Sequence, residues 1–122
     1  MTNINLEGTE DTPKIILDST NNIYEISGRS LPEDCAQFYK PILEWLEALS
    51  PSGKVDFVFK LDYFNTASSK LILDILNRLE KIKNKGKDVS VTWYYSEDDE
   101  DMQEAGEEFS ELVEVPFELK AY

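Results

Sequence analysis

The sequence contains no histidine and a single cysteine in 122 residues. Without an imidazole, Ser-His-Asp and Cys-His catalysis are excluded, and so is the commonest zinc ligand. Cys35 alone cannot close an internal disulfide. Near a helix start with no partner base, it reads as a small packed hydrophobe rather than a reactive thiol. Glycine is scarce, with 5 residues, and neither a GxGxxG nor a GxxxxGK[ST] phosphate loop occurs. No apolar run approaches the ~20 residues a bilayer span needs. The start, Met-Thr-Asn-Ile-Asn, lacks the basic region and apolar stretch of a secretory signal. A reducing cytoplasm is therefore the expected compartment.

Basic residues are also short. Twelve Lys and Arg face 25 Asp and Glu, giving a formal net charge of −13. Such a field repels phosphate backbones and anionic lipid, so neither nucleic acid nor membrane insertion is expected. Its main effect is solubility, and a basic protein surface is its natural complement.

What is present is a chain long enough for one α/β domain over residues 1–122. Residues 1–12 are polar and read as a flexible N-terminal arm. Pro13 to Asp18 and Ile23 to Ser27 flank the turn-forming Ser19-Thr20-Asn21-Asn22 and predict a β-hairpin. Gly28 to Pro32 reads as a loop. Phe38, Ile42, Trp45, Leu46 and Leu49 recur at helical spacing, with Pro41 predicting a start near Tyr39 or a bend there. Val55 to Leu61, rich in β-branched and aromatic residues, predicts a central strand. Ile72, Ile75, Leu76, Leu79 and Ile82 give a second amphipathic helix with a basic last turn, stopped at Gly86. A strand over Val89 to Tyr95, an acidic helix over Glu97 to Phe109 and a strand over Val113 to Leu119 complete the order β-β-α-β-α-β-α-β. Its alternating second half implies right-handed crossovers and parallel pairing, in one mixed sheet of about five strands with about three helices.

The run Ser96-Glu97-Asp98-Asp99-Glu100-Asp101 lacks the alternation and central glycine of a calcium loop. It coincides with a helix start that favours negative charge, so it reads as a solvated cap. The junction Leu61-Asp62-Tyr63-Phe64-Asn65-Thr66-Ala67-Ser68-Ser69-Lys70 is the more informative segment. It joins the strongest strand to the strongest helix, the exposed end where α/β sheets carry ligands and modifications. Asn65 or Thr66 caps the helix in the plain reading, which is worth about 1 kcal/mol. Three hydroxyls, Thr66, Ser68 and Ser69, beside an exposed aromatic pair, Tyr63 and Phe64, also suit a phosphorylation switch. A phosphate there adds about −1.5 to −2 charges that a helix N-terminus tolerates and that a docking partner would have to desolvate. Leu73, about 130° off the core stripe at 100° per residue, is expected to be exposed and to extend the docking patch.

Three segments of the sequence together resemble the SiaC family of bacterial regulatory phosphoproteins. They are Gly28-Arg29-Ser30-Leu31-Pro32-Glu33-Asp34, Phe38-Tyr39-Lys40-Pro41-Ile42-Leu43-Glu44-Trp45-Leu46, and Tyr63-Phe64-Asn65-Thr66-Ala67-Ser68 with Asp74-Ile75. The resemblance implies a STAS-like fold, as in anti-sigma-factor antagonists, with a phosphorylatable residue opening the helix after a central strand. It implies phosphorylation of Thr66 by a dedicated Ser/Thr kinase and dephosphorylation by a PP2C-type phosphatase. It also implies that the unphosphorylated form binds and activates a diguanylate cyclase, promoting cyclic-di-GMP synthesis and biofilm formation. Ala67 stands where the family's Asn-Thr-Ser-Ser motif has its first serine, leaving Thr66 in place and Ser68 as a secondary candidate. The docking residues that follow are Tyr63, Phe64, Asn65, Ser69, Lys70 and Leu73. An anti-sigma-factor antagonist is the alternative of the same class, and a small histidine-free enzyme using carboxylates and hydroxyls is the alternative of another.

Overall fold

The computed structural model describes residues 2–122. The elements in chain order are β1 (Ile4–Leu6), β2 (Lys14–Asp18), β3 (Ile23–Ser30), α1 (Cys35–Ala48), β4 (Val55–Phe64), α2 (Thr66–Asn84), β5 (Val89–Tyr95), α3 (Glu100–Leu112) and β6 (Phe117–Ala121). All six strands form one sheet in the order β1-β2-β3-β4-β5-β6. The first three pair antiparallel and β3 to β6 pair parallel.

Each parallel step moves one position in the same direction, so right-handed crossovers bring α1, α2 and α3 to the same face of the sheet. Burial follows. Ile15, Leu17, Tyr24, Ile26, Phe57, Phe59 and Trp93 are almost wholly buried on the helix side, against Tyr39, Ile42, Leu46, Ile72, Ile75 and Leu76. The opposite face stays polar: the Asp56 carboxylate accepts hydrogen bonds from Ser90 (3.0 Å) and Thr92 (3.0 Å), and the Lys60 ammonium sits 4.6 Å from the Tyr122 ring centroid. Period-2 alternation in β3 and β4 therefore marks one buried and one solvated face.

Several expectations are corrected. The sheet has six strands, because Ile4–Leu6 of the expected arm pairs with β2. Ile4 packs on the core, Asn3 donates to Asp18 and accepts from the Ser19 N–H, and the Thr2 carbonyl accepts from Trp45 Nε1 at 2.7 Å. Gly28 to Ser30 is strand rather than loop, since Gly28 takes φ 93° at an irregularity that lets β3 continue. α1 starts at Cys35 under an Asp34 cap and runs through Pro41. Pro41 and Gln37, the residue whose carbonyl it deprives of a donor, are both exposed, so water can take the lost bond. α3 runs on to Leu112, and β6 begins at Phe117, with Val113 and Val115 buried in the approach to it.

Candidate functional site

The site is built at the C-terminal end of β4. Pairing slips there: Gly28 faces Leu61 and Arg29 faces Tyr63, which leaves Asp62 without a partner. A one-residue slip reverses the phase of every following side chain. Phe64 consequently turns inward, its ring 6.2 Å from both Trp93 and Phe109. Tyr63 remains 47% exposed beneath the Arg29 guanidinium, 5.5 Å from the ring centroid. The expected exposed pair is thus split, and only Tyr63 is exposed.

Asn65 caps α2, accepting the Ser68 N–H at 2.8 Å through its side chain while its own N–H donates to the Ser30 carbonyl at 3.1 Å. The cap leaves the Thr66 hydroxyl unused, and Thr66 is exposed as the first helical residue. Ser68, about 200° further round the helix at 100° per residue, points into the protein. It is 0% exposed. Its hydroxyl donates to the Ser30 carbonyl at 2.8 Å and accepts from Ser30 Oγ at 2.8 Å. With both Ser30 and Ser68 donors committed, the Tyr39 hydroxyl donates to Ser30 Oγ and the Cys35 thiol to Ser68 Oγ. Burial pushes the Tyr39 phenol up to about 12. Sealed at 0% exposure with both of its hydrogen-bonding roles taken by Ser30, the Ser68 hydroxyl is out of a kinase's reach and is a structural residue rather than the expected secondary modification site.

On the outer side a groove of about 410 Å³ runs between α2 and α3. Phe64, Thr66, Ser69, Lys70 and Leu73 form one wall, and Ala105, Glu108, Phe109 and Leu112 form the other. Leu73 is half-buried against the core rather than exposed, and faces α3 across the groove. Tyr63 lies outside this groove and borders a neighbouring hollow with Asp62, Asp99 and Asp101. Neither the α3 wall of the groove nor the packing of Ser68 against Ser30 and Tyr39 is among the site features expected from sequence. Met102, Ala105, Phe109 and Leu112 recur at i, i+3, i+7 and i+10, a stripe that would have located the wall had the helix been carried one turn further. Leu112 is 62% exposed, an apolar side chain left at the groove's rim. The acidic run opens α3: Asp99 accepts the Met102 N–H at 3.1 Å, and Glu100 and Asp101 occupy the first turn. Among the described residues, no group of three or more acidic or sulfur ligands converges to hold a metal, and no helix is long and apolar enough to cross a membrane.

A family model described as SiaC family regulatory phosphoprotein matches residues 6–122. The chain belongs to the SiaC family. An uncharacterized protein of Pseudomonas aeruginosa (strain UCBPP-PA14) is 32% identical over 124 residues, covering 100% of this chain and 98% of that protein. The solved structure of SiaC of Pseudomonas aeruginosa superposes with a TM-score of 0.90 at 30% identity, covering 100% of both chains. A chain in the crystal structure of the diguanylate cyclase SiaD in complex with its activator SiaC, from the same organism, gives a TM-score of 0.90 at 30% identity over 98% of this chain and 99% of that one. The SiaC architecture therefore extends over the whole α/β sheet described above, including the strand-to-helix junction at Thr66.

Proposed function

We propose that this SiaC-family protein is a phosphorylation-switched binding partner whose unmodified form docks on and activates a diguanylate cyclase. Phosphorylation of Thr66 by a dedicated Ser/Thr kinase ends the contact, and a PP2C-type phosphatase restores it. The observation that carries the reading is the division of labour at the start of α2. Asn65 does the capping, Ser68 is sealed in the core, and Thr66 is left exposed at the mouth of an apolar groove. The similarity to a SiaC seen in complex with the cyclase it activates supports the choice of partner. The protein acts by contact in the cytoplasm, and no reaction is assigned to its own side chains.

The switch follows from charge. A dianion on Thr66 meets the positive end of the α2 dipole, so the fold accepts it. A cyclase surface seated on Leu112 and the Thr66 methyl would have to strip water from that dianion. Each ~1.4 kcal/mol of that cost weakens binding tenfold. Isothermal titration of a purified diguanylate cyclase of the SiaD type with unmodified and Thr66-phosphorylated protein tests this. At least a tenfold loss of affinity and loss of cyclase activation are expected. Equal affinity of the two forms, or no activation by the unmodified one, would refute the reading.

A further inference from the structure

The groove that Thr66 opens onto contains one cation. Lys70 lies four residues after Thr66 on α2, is exposed, and is the sole basic residue lining that groove. Positions i and i+4 of a helix are neighbours, about 5–6 Å apart at Cβ, and an acid preceding a lysine by four residues is the favoured order. A lysine stem has ample reach across that gap. Among the described residues Lys70 takes part in no ion pair. Two cations carried by neighbouring strands are already engaged. Arg29 lies over Tyr63 and donates to the Glu10 carbonyl, and Lys60 lies over Tyr122 and Tyr94.

We propose that Lys70 is the counter-ion of phosphorylated Thr66: its ammonium folds back onto the phosphate in cis and so leaves the groove rim that it occupies in the unmodified protein. The assignment rests on the reading that Thr66 is the modified residue. One modification then changes the groove twice, adding a dianion and tying down its only positive charge. Glu108 and Leu112 on the facing wall are left without a cation opposite. Lys70 is a positioning residue here, holding the phosphate against the first turn of α2.

The test uses full-length protein with phosphothreonine installed at position 66 during synthesis, so that no kinase is needed. The second ionisation of the phosphate is followed by 31P NMR as a function of pH at low ionic strength. It is expected to lie lower in the otherwise unchanged chain than in Lys70→Gln, by about 0.3 of a pKa unit or more. Lys70→Arg should titrate like the parent, and the gap should shrink in high salt. Far-UV circular dichroism verifies that the variants are folded, and a purely structural role for Lys70 would leave the phosphate ionisation unmoved. Coincident titrations for the parent, Lys70→Gln and Lys70→Arg overturn the assignment. Cyclase binding is a separate measurement. If the titrations differ as expected while the phosphorylated chain still binds the cyclase at full affinity, the proposed function fails and the counter-ion assignment stands.

Discussion

Replacing Thr66 and Ser68 separately by alanine should give opposite outcomes, although the two hydroxyls stand only two residues apart. Thr66→Ala removes an exposed group that makes no bond within the fold, and its effect on stability should stay within about 0.5 kcal/mol. Ser68→Ala removes a hydroxyl at 0% exposure with three polar neighbours: the Ser30 carbonyl, Ser30 Oγ and the Cys35 thiol. The Ser30 carbonyl keeps the Asn65 N–H, so it is not orphaned. The Ser30 hydroxyl proton loses its acceptor and can recover one only if the Tyr39 hydroxyl reverses its own bond. One unsatisfied buried donor costs about 1–3 kcal/mol. Ser68→Ala should therefore destabilise by that amount, read as a drop in the urea midpoint at unchanged slope. A double-mutant cycle with Tyr39→Phe should show coupling of at least about 0.5 kcal/mol, because both changes act on Ser30. If Ser68→Ala is as mild as Thr66→Ala, or the cycle is strictly additive, the buried hydroxyls do not carry the stability that their burial implies.

The remaining predictions address other parts of the fold. The Tyr39 phenol is raised to about 12 from its ordinary 10, so above pH 10 the unfolded chain sheds a proton that the folded chain keeps. Its contribution is complete below pH 10 and is lost between about 10 and 12, at ~1.4 kcal/mol per pH unit, and Tyr39→Phe should flatten that alkaline slope in equilibrium unfolding. Gly106→Ala, ordinarily a gain of up to about 1 kcal/mol in a helix, should instead cost about 1–3 kcal/mol. The new Cβ would stand 2.5 Å from Cδ1 of the fully buried Trp93, and thermal unfolding gives the sign. Phe109→Ala should cost about 3–5 kcal/mol in urea, since that ring touches both Trp93 and Phe64. Leu112→Lys changes a side chain 62% exposed, so stability should hold within about 0.5 kcal/mol while affinity for the cyclase falls at least tenfold in a titration.

Periodicity carried the fold where stripes were long. The α2 stripe from Ile72 to Ile82 and the alternation of Val55 to Leu61 each place their residues in the core as expected. Short or interrupted signals did not. Ile4 and Leu6 are two apolar residues in a polar stretch, and only the β2 edge beside them makes a strand of that length worthwhile. Pro41 predicts a helix start near Tyr39 or a bend, but its exposure lets α1 run through it and absorb the missing donor. At the site, the cap at Asn65 and the exposed Thr66 follow from local chemistry. The fates of Phe64 and Ser68 do not. Phe64 is set by the pairing slip opposite Gly28, and Ser68 by hydroxyls contributed from β3 and α1, neither of which leaves a mark within the junction itself.

Because spatial order along the sheet repeats the order of synthesis, each strand emerging from a ribosome finds its neighbour already in place. The threonine-bearing helix is made well before the segment that forms the opposite side of its groove. A nascent or truncated chain ending ahead of Glu100 would thus lack the α3 wall and display the Thr66 hydroxyl with nothing across from it.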